Sequence, residues 1–265
     1  MTKILVTGAT GNVGRELIRQ LPAADVRPFS RQTGGDLSKV ESLRDALDGV
    51  DTVFLIWPFL TADAAPAVLE EVGRGRRVVY LSSSGVAEGH GDPINRMHAE
   101  LEALVEGAAA SWTILRANTI ASNARGWAAQ VRSTGVVRGP DIPATAVVHE
   151  RDIAAVAARA LTSADLDGQR LILTGPAVVS RAEQVAAIGT ALGRELRFEP
   201  VAAGDARAQM LADGRPAALV EALLANVGRP PSTLITATVE EVSGRAARSF
   251  GEWAAEHVDE FRQKR

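Results

Sequence analysis

The chain has 265 residues, 46% hydrophobic and 23% charged, which is enough apolar content to bury a sizeable core. A net charge of −3 argues against a polyanionic partner, so no nucleic acid is expected, and the absence of cysteine excludes disulfides and thiolate chemistry. No apolar run of about 18 residues is present to cross a bilayer, and no basic-plus-apolar signal precedes the first apolar segment, so a cytoplasmic protein with no membrane attachment is expected.

Residues 4–6, Ile-Leu-Val, read as a buried parallel strand. The strand runs into Gly8-Ala9-Thr10-Gly11-Asn12-Val13-Gly14 and then a helix over 13–21, stopped by Pro22. The spacing G-x-x-G-x-x-G is a variant of the dinucleotide fingerprint. Its first glycine allows the tight turn, its second lets a pyrophosphate approach bare backbone, and its third lets helix and strand pack closely. Free N–H groups at the helix start face the phosphate charge. Gly8, Thr10, Gly11, Asn12, Val13 and Gly14 are therefore candidate cofactor contacts.

Residues 26–29 read as the second strand, with Ser30 and Arg31 just past its end, where an adenosine ribose lies in dinucleotide folds. An acidic residue there binds the 2′-hydroxyl, whereas an arginine accommodates a 2′-phosphate, so NADP(H) is favoured and NAD(H) is the alternative. Residues 32–35 leave little room before Asp36 and Leu37, two further candidate cofactor contacts, and the third strand is expected to be shortened or lost. Ser38 and Glu41 spell a capping box opening a helix to about Gly49. Strand 53–56 follows, ending at Ile56-Trp57-Pro58, then a helix over 62–73 whose end carries Arg74, Arg76 and Arg77.

The next strand, 78–81, finishes in Ser82-Ser83-Ser84-Gly85. A Gly-rich loop over 86–93, a helix over 94–107 carrying His98 and Glu102 one turn apart, and a strand over 112–116 come next. Short apolar strands alternating with helices predict a parallel sheet covered on both faces, with ligands bound beyond the strands' carboxyl ends. Residues 8–14, 30–31, 57–58, 82–84 and 117–120 are expected to converge there, adding Ile56, Trp57, Pro58, Ser82, Ser83, Asn118, Thr119 and Ile120 to the cofactor contacts.

Past residue 120 the pattern loosens. Residues 135–143 are turn-rich, and a helix over 151–161 and a strand over 171–174 follow. Ser180 with Glu183 opens a capped helix, and 197–201 reads as a strand. Helices are expected over 205–226 and, from a Thr238/Glu241 capping box, over 239–262. The expected class is α/β: a Rossmann-type doubly wound parallel sheet in residues 1–120. Residues 121–265 add the remaining sheet elements and a smaller mixed substrate lobe, interleaved with it in one compact unit.

The segments ILVTGATGNVG, GVDTVFLIWP, VVYLSSSG, SWTILRAN, VHERDIAAVAARAL and VEEVSGRAARSFGEWAAEH together resemble the NmrA-like branch of the atypical short-chain dehydrogenases/reductases. That resemblance implies NAD(P) binding. The branch includes NAD(P)H-dependent quinone reductases, isoflavone reductase relatives, tailoring enzymes of bacterial polyketide (antibiotic) pathways, and cofactor sensors that catalyse nothing. The general dehydrogenase pattern has a serine, matched by Ser84, then Tyr-x-x-x-Lys, whose positions here hold Ile94 and His98. Tyr80, the only tyrosine, sits inside a strand. His98 and Glu102 match the His-x-x-x-Glu of the quinone-reductase-like relatives, and residues 118–120 match their nicotinamide pocket. The resemblance makes His98 and Ser84 the candidate catalytic residues, His98 either donating to a cofactor ribose or titrating near neutrality to supply a proton.

Losing the tyrosine has a chemical consequence. Reduction of a simple ketone makes a strongly basic alkoxide that needs a positioned acid. A quinone or extended enone spreads the new charge through conjugation instead. The expected function is NAD(P)H-dependent reduction of a quinone-like or polycyclic aromatic substrate, or an oxygenation or rearrangement step on the same scaffold. The alternative is a redox sensor that signals to a protein partner. Phe59, Ser84, His90, Asn123 and Trp127 are the candidate substrate contacts. His149 and His257 read as structural. No histidine–carboxylate set has zinc-site spacing along the chain and no G-x-S-x-G elbow exists, so neither a metal nor hydrolysis is expected.

Overall fold

The computed structural model describes residues 2–21 and 25–263. The chain runs β1 (Lys3–Thr7), α1 (Asn12–Arg19), β2 (Asp25–Phe29), α2 (Val40–Ala46), β3 (Thr52–Leu55), α3 (Ala65–Gly73), β4 (Arg77–Ser83), the single turn α4 (Ser84–Ala87), α5 (Pro93–Ala108) and β5 (Ser111–Ala117). It continues through α6 (Ala128–Ser133), β6 (Val136–Pro140), α7 (Glu150–Thr162), β7 (Gln169–Leu173), α8 (Arg181–Leu192), β8 (Arg197–Val201), α9 (Ala203–Ala212), α10 (Ala217–Leu224), α11 (Thr238–Ser243) and α12 (Phe250–Glu256). Two compact units result. The first takes residues 1–117, 150–173 and 238–245, and the second takes 118–149, 174–237 and 246–265.

The first unit is a six-stranded, all-parallel sheet in the order β2-β1-β3-β4-β5-β7. The middles of its central strands, Ile4-Leu5-Val6 in β1, Val53-Phe54-Leu55 in β3 and Val78-Val79-Tyr80-Leu81 in β4, are apolar at consecutive positions because both faces are covered. Leu5, Val53, Leu55, Val78, Tyr80 and Ile114 bury against α2, α3 and α5. The alternate residues Ile4, Val6, Phe54 and Val79, equally buried, belong to the other face, where α7 packs along the sheet with α1 and α11. The chain leaves β1 outward to β2 and returns to β3 on β1's other side. That reversal opens a crevice beyond the carboxyl ends of β1 and β3. As the short spacing predicts, no strand intervenes between β2 and β3: the chain after Ser30 makes a 3₁₀ turn, Arg31–Thr33, closed by a reciprocal Ser30–Thr33 cap.

The second unit pairs β6 with β8 in parallel and buries Trp253, Phe250, Phe261, Val185 and Ile188 as its core. A satellite cluster, Ala206, Met210, Val220 and Leu224, ties α9 to α10. The predicted Ser180–Glu183 box caps α8.

Several local expectations are overturned. Ser38 does not cap α2, because its hydroxyl and amide both go to Asp36 Oδ1 (2.8 and 3.0 Å). Residues 86–93 are not wholly loop: Ser83 Oγ accepts the Gly85 N–H and opens α4. Residues 135–143 hold β6, whose partner strand lies about sixty positions on and leaves no local periodic trace. Residues 205–226 split into α9 and α10 beside Gly214 (φ +80°), and 239–262 split after α11 at Gly244 (φ +71°), both left-handed positions that a helix cannot contain. The C-terminal reciprocal cap is Ser249 with Glu252, while Thr238 is already helical. Pro22, expected to stop α1, lies outside the described residues; α1 ends at Arg19.

Candidate active site

The crevice of the first unit starts at Gly8, where φ is +60° and the chain turns from β1 to α1. Gly11 N–H closes the turn on Gly8 O at 2.8 Å. A Cβ on Gly14 would lie 2.3 Å from that same oxygen and 2.9 Å from Gly8 C, so helix and turn touch through bare backbone. Val13 and Gly14 are buried, whereas Gly11 and Asn12 at the start of α1 are exposed. A bare, exposed helix start behind a left-handed glycine turn fits a pyrophosphate, which needs close backbone approach and N–H donors.

Thr7, which sequence patterning passes over, staples the crevice. Its Oγ1 accepts the Ile56 N–H (2.7 Å) and lies 3.2 Å from both Phe54 O and Ile56 O. A hydroxyl that can answer both an amide and a carbonyl holds β1 and β3 together where their ladder ends. Arg31, just past the end of β2, is exposed, and its side chain makes no hydrogen bond or ion pair among the described residues. Nearby Asp36 is spoken for by Ser38, whose amide and hydroxyl hold its carboxyl below the usual range, and Leu37 is buried.

The aromatic residues at the β3 end pack rather than line a mouth. Trp57 is buried, its Nε1 donates to Thr61 O (2.8 Å), and Phe59 stacks edge-on against it at 5.0 Å. Both join the core shared by α2, α3 and α5, so Phe59 does not stand out as a substrate contact. Pro58 is exposed.

Two side-chain pairs join β4 to α5. The Tyr80 hydroxyl lies 2.6 Å from His98 Nδ1, and Ser82 Oγ donates to Glu102 Oε1 (2.5 Å). Glu102 is buried and also forks with Arg116 of β5, at 3.0 Å from Nε and 2.6 Å from Nη2. Ser82 and Arg116 are register neighbours in the sheet, so one carboxylate clamps two strands. His98 and Glu102, read as a motif along the helix, thus serve different partners.

Tyr80 has no other partner among the described residues, and burial pushes its pKa up, so its hydroxyl keeps its proton and donates to Nδ1. The His98 proton then sits on Nε2. Burial lowers the His98 pKa to about 4 against the opposing pull of Glu102 and Asp92. The expected titration near neutrality is therefore corrected: this imidazole is neutral at pH 7, a donor of a hydrogen bond and not a cationic acid. Ser84 is buried with its Oγ 3.5 Å from Glu88, Ser83 caps α4, and the His90 N–H returns to Gly85 O. Asn95, also missed by patterning, is buried against Gly85, and its Oδ1 has no hydrogen-bond partner among the described residues.

The neutral His98 makes stability fall in acid. Its folded pKa lies below the unfolded value near 6.5, so between about pH 6.5 and 4 the unfolded chain binds the extra proton, and up to about 3 kcal/mol is lost as pH falls through that window. Urea denaturation of wild type and His98→Leu across that range should give curves that converge or cross as pH falls. Parallel curves would exclude the depressed pKa.

In the second unit, Asn118 is buried. Its Oδ1 accepts the Thr119 N–H (2.7 Å), while Nδ2 finds no acceptor among the described residues, an orphan donor that suits a carboxamide or hydroxyl from a ligand. Ile120 bridges Val148, Asn123 is exposed, and Trp127 lies partly buried under the Arg181 guanidinium. The fold also gathers His149, Glu256 and His257, with ligand-type atoms within 4.8 Å of one another, a set that spacing along the chain conceals. Arg125 Nη2 stands 3.2 Å from His257 Nδ1, and that fixed positive charge opposes a divalent cation. Among the described residues no helix is long and apolar enough to cross a membrane.

A glycine turn opening a helix at the reversal of a parallel sheet defines a nucleotide-binding α/β enzyme scaffold. Comparison with known proteins refines this. No family model matches the chain. It is 38% identical to a (4-alkanoyl-5-oxo-2,5-dihydrofuran-3-yl)methyl phosphate reductase of Streptomyces griseus, covering 97% of this chain and 99% of that one. It is 30% identical to an NAD(P)H azoreductase of Xenophilus azovorans, with the same coverages. Its fold is that of an NADPH-dependent quinone oxidoreductase from Escherichia coli (TM-score 0.74, 22% identity, 96% and 98% coverage) and of a Citrobacter triphenylmethane reductase complexed with NADP(H) (TM-score 0.78, 19% identity, 97% and 99% coverage). The chain belongs to the NmrA-like family of atypical short-chain dehydrogenases/reductases and is an NAD(P)H-dependent oxidoreductase.

Proposed function

We propose that the protein is an NADPH-dependent reductase of conjugated, electron-poor carbonyl compounds. The observation that carries this reading is the site's acid–base chemistry: His98 is neutral and held by Tyr80, and Ile94 stands where the family resemblance puts the proton-donating tyrosine. The substrate named for the Streptomyces griseus relative fits the same chemistry, since its ring double bond is conjugated to carbonyl groups, and it serves as the model acceptor.

Gly8, Gly11, Asn12 and Gly14 hold the cofactor's pyrophosphate and Arg31 its 2′-phosphate. When bound, the reduced nicotinamide supplies a hydride to the electron-poor carbon. His98 donates a hydrogen bond from Nε2 to a ribose hydroxyl, and Tyr80 keeps its tautomer fixed. Because the acceptor delocalises the new charge onto its carbonyl oxygens, solvent delivers the balancing proton and no strong acid is required.

The test follows NADPH absorbance with three acceptor sets: quinones, alkanoyl-butenolides and simple ketones. Turnover of a conjugated set and not of ketones is the expected result. Ketone turnover alone, or tight cofactor binding with no turnover, would overturn the reading, the latter in favour of a sensor. In the same assay Arg31→Ala should weaken NADPH about tenfold or more while sparing NADH, as loss of a charge-assisted phosphate contact requires. Equal loss for both cofactors would remove Arg31 from the site.

A further inference from the structure

The second unit carries an arginine pair with no carboxylate within ion-pair distance among the described residues. Arg181, the first residue of α8, is half-buried. Its guanidinium lies over the Trp127 ring, 6.0 Å from the centroid, and its Nη1 donates to Pro140 O at 3.0 Å. Gly139 faces that head with bare backbone: a Cβ there would sit 3.1 Å from Nη1. Arg215, exposed in the link between α9 and α10, brings a second guanidinium, and Nη2 lies 3.8 Å from where a Cβ on Gly126 would be. Gly126 directly precedes Trp127, so the two arginine heads flank one short stretch of chain.

Neither arginine has a carboxylate within ion-pair distance among the described residues, although Arg125 and Arg138 of the same unit are paired with Glu260 and Glu199. Burial and the charge of Arg215 lower the Arg181 pKa to about 10, with Asp141 pulling the other way, so Arg181 still carries its charge at neutral pH. Two like charges close enough to disfavour each other, one of them half-buried, cost free energy unless an anion completes the set. A carboxylate fills one guanidinium fork. A phosphate monoester has three terminal oxygens and is nearly dianionic, so it answers two.

We propose that Arg181 and Arg215, with Trp127 as a flat apolar wall, form a subsite for a phosphate monoester carried by the substrate. This deepens the proposed function and, as to substrate, rests on it: the acceptor is a phosphorylated conjugated carbonyl.

Two experiments test the subsite. The first measures KM for an alkanoyl-butenolide methyl phosphate and for the same compound with a free hydroxymethyl group, in wild type and Arg215→Gln. The expected wild-type preference for the phosphate falls about tenfold or more in the variant. An unchanged ratio overturns the subsite. The second needs no turnover: phenyl phosphate and benzoate are titrated calorimetrically into wild type and Arg215→Gln. Phenyl phosphate should bind wild type more tightly than benzoate and lose that advantage in the variant. Equal binding of the two ligands to wild type, or an advantage that survives Arg215→Gln, overturns the proposal. Loss of phenyl phosphate binding in the variant without turnover of any conjugated acceptor keeps the subsite and overturns the reductase reading alone. Arg215 is exposed and tied to no other side chain among the described residues, so its replacement should leave the fold intact.

Discussion

Gly14→Ala should lose NADPH binding by ~100-fold or more, equivalent to ~2.7 kcal/mol. The added Cβ would meet Gly8 O at 2.3 Å, Gly8 C at 2.9 Å and Ala9 Cα at 3.0 Å, all backbone atoms that no side-chain rotation can clear. Either α1 moves off β1 or the glycine turn opens, and both displace the amides proposed to face the pyrophosphate. Overpacking of this kind costs about 1–3 kcal/mol of stability, so the fold should survive at a lowered Tm while the cofactor is released. Gly91→Ala is the control, because φ there is not left-handed and nothing lies within 4 Å of its Cβ position. Fluorescence titration of NADPH into both variants decides the matter. Wild-type affinity in a folded Gly14→Ala protein would refute a pyrophosphate at this turn.

Breaking the buried clamp on Glu102 carries the largest stability effect. Glu102→Gln keeps the shape but leaves the Arg116 guanidinium without its charge partner and weakens the bond from Ser82. Removing one member of a buried pair costs about 3–5 kcal/mol, mostly because the other charge stays behind. The double variant Glu102→Leu, Arg116→Met removes both charges and should regain most of that loss. Urea denaturation of the three proteins gives the values. A single variant within about 1 kcal/mol of wild type would show the pair to be solvated and not structural.

The clamp also marks where sequence reading stops. The glycine turn, the apolar strands and the missing third strand were legible because each is written in a few consecutive residues. The expected end of the strand at Trp57 was legible too, but not that Trp57 and Phe59 turn inward, since packing partners on α2, α3 and α5 decide it. The pairs across β4 and α5 left a trace that patterning can use. Tyr80 and Ser82 share a strand face two residues apart, about 6.6 Å, and His98 and Glu102 share a helix face four apart, about 6 Å. Matching separations let the two pairs meet, yet the match shows only once β4 and α5 are known to be neighbours. β6 and the arginine pair left no such trace, as their partners come from distant stretches.

The lost third strand has a further effect on the molecule's behaviour. Without it β2 is an outer strand, with a row of backbone groups turned to solvent, the kind of margin that templates cross-strand aggregation. Here that margin is blunted. Pro28, paired with Val6 on the inner side, has no N–H to offer an incoming strand, and the Arg27 guanidinium reaches the carbonyls of Ala46 (2.6 Å) and Asp48 (3.0 Å), drawing the end of α2 alongside. A charge and a proline in five residues let the chain do without a strand and still leave no open template at this margin.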